Sequence, residues 1–222
     1  MKRMLTLSVF FALALLSPLV LAAPSSNVAW TSEARQLIAS GNPERGKGLA
    51  ASCAGCHGAT GVSPSPSFPS LAGQLAAYTF KQLKDYQEDK RTENPMMASL
   101  AKPLADQDMA DLAAFYAAQP LPKGKSAEAD SGNATQDLVS RGDGKRLLAP
   151  CAACHGRTGK GSIVDVPALS GQQAGYFSST MQAYRSGKRS NDIYRRMRLI
   201  AQQLTDQEIK ALADYYALMG SQ

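Results

Sequence analysis

The sequence contains a long internal repeat. Cys53-Ala-Gly-Cys56-His57-Gly58 returns as Cys151-Ala-Ala-Cys154-His155-Gly156, 98 residues later. At the same offset, Pro69-Ser-Leu71-Ala-Gly73-Gln74 returns as Pro167-Ala-Leu169-Ser-Gly171-Gln172, and Tyr78, Tyr86 and Arg91 return as Tyr176, Tyr184 and Arg189. A two-residue insertion then raises the offset to 100, so that Leu104, Asp106, Gln107, Leu112 and Tyr116 match Leu204, Asp206, Gln207, Leu212 and Tyr216. A solenoid shows more copies of a shorter unit. Two long copies mean a duplicated domain, and each half must close a core of its own.

The join lies between Gln119 and about Leu138, where Pro120, Pro122, Gly124 and Gly132 stand among small and charged residues, the composition of a linker with an extended start. Ahead of the first copy, Lys2 and Arg3 precede an apolar run from Leu5 to Leu21, followed by Ala22-Ala23. This reads as a secretory signal peptide over residues 1–22, cleaved after Ala22. The competing reading is an uncleaved anchor, giving a membrane-anchored form. The expected organisation is a leader at 1–22, a domain at 23–120 and a second at 121–222, in an exported, periplasmic protein with room for peripheral membrane association. The formal net charge of +6 includes Lys2 and Arg3, so the mature chain carries +4. No basic run is dense enough to indicate a nucleic-acid partner.

Apolar spacing predicts an all-α chain. A helix leads into each Cys-x-x-Cys-His, over Ser32 to Ala51 with a break at Gly41-Asn42-Pro43, and over Gln136 to Ala149. Leu75, Tyr78, Leu83 and Tyr86 recur near the helical period, as do Phe177, Thr180, Met181 and Tyr184. Each half ends in a helix with one apolar face: Met109, Leu112, Ala113 and Tyr116 in the first, Ile209, Leu212, Ala213 and Tyr216 in the second. Thr205-Asp-Gln-Glu208 is a capping-box pattern. Ala105 replaces the threonine in the first copy, which predicts a cap moved to Asp106.

All four cysteines and both histidines fall inside the two motifs. Cys-x-x-Cys-His is the pattern of covalent c-type haem attachment: two thiols on adjacent turns add to the two vinyl groups of one porphyrin, and the next imidazole faces the iron. Zinc wants four ligands and each copy offers three. A thioredoxin-like redox pair follows a strand and needs no histidine. No cysteine is left for a structural disulfide. With His57 and His155 as proximal ligands, no histidine remains for the other face of either iron, which leaves Met, Lys, Tyr, another backbone or side-chain group, or nothing. Met97 lies eight residues before Ala105 and Met197 eight before Thr205, so both hold one register to the last helix. Met96 is matched by Arg196, Met109 is matched by Ile209, and Met181 and Met219 sit on apolar faces as core. A neutral, soft thioether favours ferrous iron, raises the potential and closes the sixth position. That combination suits electron transfer.

Pro69 and Pro167 each sit twelve residues after a histidine and offer a carbonyl to its free N–H, or simply punctuate a loop. Arg91 and Arg189 are candidates for haem propionates, or solvated surface groups. Trp30 reads as a packing anchor.

With these residues in hand, both halves resemble the two-haem cytochrome c4 family of periplasmic electron carriers. The resemblance rests on the Cys-x-x-Cys-His motifs, Phe68-Pro69-Ser-Leu71-Ala-Gly73-Gln74, Asn94-Pro95-Met96-Met97 and the segment from Ala105 to Tyr116, with their second-half equivalents. It implies tandem class I cytochrome c-like domains packed about a pseudo-two-fold axis with the propionate edges close. It also implies Met97 and Met197 as sixth ligands, and Pro69 and Pro167 as acceptors from the histidines. The second half lacks equivalents of Pro95-Met96, which leaves its loop geometry open. The implied function is one-electron carriage from a quinol–cytochrome c reductase or a dehydrogenase to a terminal oxidase or reductase. The alternative is a two-haem subunit of a flavoprotein dehydrogenase of the sulfide dehydrogenase type. A two-haem peroxidase needs an open iron and usually more histidines. Residues 23–120 carry 8 basic and 9 acidic side chains, and residues 121–222 carry 14 and 9. An expected dipole follows, with Arg195, Arg196 and Arg198 as the docking candidates on the basic half.

Overall fold

The chain before the first motif is shaped by its caps. Thr31 Oγ1 accepts the Ala34 N–H (3.1 Å) and starts α1, Ser32–Ala39. Asn42 Oδ1 accepts the N–H groups of Glu44 and Arg45 (2.9 and 3.0 Å) and starts α2, Pro43–Leu49. Pro43 holds Asn42 in extended backbone, so the break falls at Gly41-Asn42-Pro43 as the sequence predicts. One 3₁₀ turn, Ala50–Ser52, hands the chain to the first motif. The computed structural model describes residues 31–124, 133–162 and 165–220; the leader and Trp30 lie outside them.

The first half continues with α3 (Ala54–His57), α4 (Ala76–Gln87), α5 (Pro95–Ala101) and α6 (Asp106–Ala117). The second has α7 (Asn133–Arg141), α8 (Cys151–His155), α9 (Ala174–Ser186), α10 (Arg196–Gln203) and α11 (Asp206–Leu218). Among the described residues the only β pairing is two isolated bridges, Asp143 with Leu148 and Ser162 with Val166. The C-terminal helix of each half is the spine of its core. Met109, Ala110, Leu112, Ala113 and Tyr116 of α6 are buried against α1, α2 and α4. Ile209, Leu212, Ala213 and Tyr216 of α11 pack on Phe177, Met181 and Tyr184 of α9. Helix α2 comes unusually close to α6: a Cβ on Gly46 would stand 2.0 Å from the Asp111 carbonyl oxygen.

Two expectations are corrected. The helix expected over Gln136 to Ala149 stops at Arg141, because Gly142 takes φ +72° and Asp143-Gly144 makes a turn instead. Asp143 and Leu148 exchange both backbone hydrogen bonds (2.8 and 2.9 Å), and Asp143 Oδ1 accepts the Lys145 N–H (2.9 Å). The cap of α6 also stays in register. Ala105 is its N-cap, keeping half of the capping box through its N–H to Asp108 Oδ2 (3.2 Å), while Thr205 and Glu208 make both halves of theirs.

The halves pack face to face in a two-fold manner. Gln74 pairs with the backbone of Ala168, and Gln172 pairs with that of Ser70. Each residue is the repeat equivalent of the other pair's member, the signature of an isologous contact. Arg189 donates to the Tyr78 hydroxyl (3.0 Å) and Arg91 to that of Tyr176 (3.4 Å), again equivalents. The alternative of solvated arginines is therefore overturned: both are buried at the interface, each guanidinium over an aromatic ring, Tyr86 or Tyr184 (4.5 and 4.6 Å). Gln82 Oε1 accepts from Arg91, Arg189 and Asn191. A buried Lys81–Asp85 pair (2.6 Å), tied to Asn191, has no counterpart in Ser179 and Ala183 and breaks the symmetry. The start of the linker lies along both halves, with Leu121 against Gly73 and Pro122 against Gly171.

Candidate functional site

Each Cys-x-x-Cys-His forms a single helical turn ended by a left-handed glycine. Gly58 (φ +79°) and Gly156 (φ +81°) close the turns with N–H bonds to Ala54 and Ala152 (2.8 and 3.0 Å). The chain then loops back. Leu71 and Ala72 both donate to the Gly61 carbonyl (2.6 and 3.0 Å), and Leu169 and Ser170 donate to that of Gly159 (2.7 and 3.0 Å). Gly73 and Gly171 then bond to the carbonyls of Tyr116 and Tyr216 (2.8 Å each), pinning the loop to the terminal helix. Three non-local bonds thus recur at equivalent positions in each half. Their result is the placement of one carbonyl: Pro69 O lies 2.9 Å from His57 Nδ1, and Pro167 O lies 2.9 Å from His155 Nδ1.

A carbonyl only accepts, so Nδ1 carries the proton in both rings and Nε2 keeps its lone pair. That is the tautomer of a metal-bound histidine whose ring is fixed by a backbone oxygen. Both imidazoles are buried, and burial pulls their pKa below the ordinary histidine value against the opposing pull of the proline carbonyl. Burial thus favours the neutral form of each ring. None of the four cysteines is in a disulfide. Burial raises the Cys151 thiol above its usual range. Beside the first cysteine of each motif lie the buried hydroxyls of Tyr116 and Tyr216, each next to the sulfur of Cys53 or Cys151. Cysteines outside any disulfide, an Nε2 left free on each imidazole and buried tyrosines at equivalent positions fit a covalently held haem in each half.

The methionines separate by environment. Met97 is half-buried on α5, with its N–H held by Asn94 Oδ1 (3.2 Å), while its neighbour Met96 is 60 % exposed. Met197 on α10 is half-buried and packs on the second core. Met109 and Met181 are buried core residues. The second half reaches its methionine differently. Between Asp192 and Met197, Tyr194 and Arg195 take φ +55° and +59°, the stretch that holds the two-residue insertion. Asp192, the counterpart of Asn94, turns to Arg198 instead, accepting its N–H (3.0 Å) and its Nε (2.7 Å). Of the three arginines expected to dock a partner, Arg198 is thus held by Asp192, and Arg196 pairs with Asp165 (3.1 Å). The interface glutamines Gln74 and Gln172 were legible only as repeated letters; their cross-domain bonds could not be foreseen without the packing.

The cytochrome c family model matches residues 43–117 and again 142–217. Cytochrome c4 of Thiocapsa roseopersicina is 38% identical over 178 residues, covering 79% of this chain and 91% of that protein. The thiosulfate dehydrogenase electron acceptor of Stutzerimonas stutzeri (strain A1501) is 39% identical over 176 residues, covering 77% and 80%. The crystal structure of reduced recombinant cytochrome c4 from Pseudomonas stutzeri superposes with a TM-score of 0.75 at 33% identity, covering 81% of this chain and 99% of that one. Two all-helical domains, two attachment motifs and these likenesses agree: the chain belongs to the cytochrome c4 family, an electron-transfer protein with two covalently attached haem c groups.

Proposed function

We propose that Cys53 and Cys56 bind one haem and Cys151 and Cys154 the other. In this reading His57 and His155 ligate the irons through Nε2, and Met97 and Met197 close the opposite faces. The matched placement of a proline carbonyl at 2.9 Å from Nδ1 in both halves carries the reading. Each haem supplies a one-electron ferric–ferrous couple. The protein's own groups hold that couple in place: Pro69 and Pro167 orient the imidazoles, the thioethers favour the ferrous state, and the buried guanidinia of Arg91 and Arg189 stand at the interface where propionates would meet them. The chain then runs as a leader at 1–22 and domains at 23–120 and 121–222, exported to the periplasm. It takes single electrons from a membrane reductase or dehydrogenase and delivers them to a terminal oxidase or reductase.

Optical and redox titration of the purified protein tests this. Two low-spin haems with the far-red methionine–Fe(III) band are expected. Met97→Ala removes about half of that band and lowers one potential, whereas Met96→Ala leaves both unchanged. A wild-type spectrum without the band overturns the methionine assignment. A second reading, a dedicated acceptor for a periplasmic dehydrogenase, is favoured by the relative named as the electron acceptor of thiosulfate dehydrogenase. Rapid reduction by such an enzyme, with stable co-purification, would distinguish it from a general carrier.

A further inference from the structure

We propose that each half tunes the proximal histidine of the other through a buried glutamine, Gln172 acting on His57 and Gln74 on His155. The proposal rests on the reading of those histidines as iron ligands. Its basis is a single peptide group in each half. The Pro69 carbonyl accepts the His57 Nδ1 proton, and the N–H of the same peptide unit, on Ser70, donates to Gln172 Oε1 (2.9 Å). Gln172 Nε2 donates to the Ser70 carbonyl (3.0 Å), so its amide is clamped at both ends. In the other half, Pro167 accepts from His155, the Ala168 N–H donates to Gln74 Oε1 (2.8 Å), and Gln74 Nε2 donates to the Ala168 carbonyl (3.1 Å).

The direction of each amide is fixed by its surroundings. Gln74 Oε1 also accepts the Leu75 N–H (3.0 Å), and Gln172 Oε1 accepts that of Gln173 (2.9 Å). Two donors converge on each oxygen, and a flipped amide would face them with its NH₂. Ser70, Ala168 and both glutamines are buried, so these bonds act in a low dielectric. When a peptide N–H donates, amide resonance shifts electron density onto its own carbonyl oxygen. The Pro69 oxygen therefore accepts more strongly from His57, and the imidazole becomes a better donor to iron. A more electron-rich ligand stabilises the ferric state. Gln172, on the second half, thus lowers the potential of the first haem, and Gln74 lowers that of the second.

Simple adhesion between the halves predicts something else: loss of either glutamine should disturb both sites alike. The experiment uses the whole two-haem protein, with Gln172→Leu and Gln74→Leu examined by redox titration and by NMR of the histidine Nδ1 protons in the reduced state. Phe68 stands edge-on to His57 (ring centroids 6.5 Å) and its repeat position is Val166, which tells the two sites apart. Gln172→Leu is expected to raise the midpoint of the His57 haem and move the His57 Nδ1 proton upfield, leaving His155 unmoved. Gln74→Leu gives the mirror image. Gln172→Glu keeps an acceptor for Ser70 and, because a carboxylate accepts more strongly than an amide, moves the His57 proton downfield of its wild-type position. Equal shifts at both sites, shifts confined to the glutamine's own half, or no shift at all overturn the crossed effect. Should a leucine variant fail to fold, Gln172→Glu alone decides: a downfield move at His57 without one at His155 supports the proposal, and an unmoved His57 overturns it. A wild-type protein without histidine-ligated low-spin haems overturns the ligand reading itself, a failure visible before any variant is made.

Discussion

In the first half, Arg45 reaches from helix α2 to clasp Asp111 with Nε and Nη2 (2.7 and 3.0 Å). In the second, Arg146 reaches from a turn to clasp Glu208 with Nη1 and Nη2 (3.1 and 2.7 Å). Neither partner is the repeat equivalent of the other: Arg45 aligns with Asp143, and Asp111 with Ala211. Both forks nevertheless tie the segment before the motif to the terminal helix. Around the histidines the picture reverses, because the glycine, proline and glutamine bonds recur position for position. The lead-in segment only has to be pinned, and any well-placed fork does that. The carbonyl opposite Nδ1 has less freedom, since a shift of about 0.7 Å from its position forfeits the hydrogen bond.

The largest expected difference between the halves concerns their equivalent glycines, Gly46 and Gly144. A Cβ at Gly46 would overlap the Asp111 carbonyl, whereas one at Gly144 meets nothing within 4 Å. Gly46→Ala should therefore destabilise by about 3 kcal/mol, as overpacking does, and Gly144→Ala should stay within about 0.5 kcal/mol. Denaturant unfolding of the two variants measures this. Equal effects would mean that α2 is not closely seated on α6.

The forks should also differ in acid. Hydrogen bonds from Arg45, against the opposing penalty of burial, hold the Asp111 carboxyl down to about 2 from an ordinary 3.8. A depressed carboxylate pKa gives stability that is present above the unfolded value and lost as pH falls from about 4 toward 2. Linkage puts it at about 2 kcal/mol for this buried group. Glu208 is also lowered by Arg146, but both members of that pair are partly exposed, so its share is below about 1 kcal/mol. Asp111→Asn should flatten the acid limb of a stability-against-pH curve much more than Glu208→Gln does.

The smallest difference lies at the caps. Thr205→Ala removes a hydroxyl that accepts the Glu208 N–H (3.2 Å) and should cost about 1 kcal/mol. Ala105→Thr should return about half of that to the first half, where Asp108 already makes the reciprocal bond. Thermal melts of the two variants, each against wild type, compare them directly.

Most helices were legible because apolar spacing is a local property. Leu112, Ala113 and Tyr116, like Leu212, Ala213 and Tyr216, face the core their period assigns them. The overlong helix before Cys151 failed because Asp143-Gly144 turn chemistry, reinforced by Arg146 reaching Glu208 across the fold, outweighs helical propensity. The arginines at 91 and 189 could be marked as a pair but not placed, since a guanidinium looks alike in solvent or over a buried tyrosine until its neighbours are known.

The sequence by itself determined two halves, two attachment motifs and a histidine supply with none to spare beyond them. These follow from counting and spacing along one chain. Tertiary structure decided how the halves meet, that Arg91 and Arg189 are buried between them, and that Gln74 and Gln172 cross to the peptide beside the other half's histidine. Those facts depend on contacts between residues some hundred positions apart, and no local propensity encodes which surface of a domain its twin will cover.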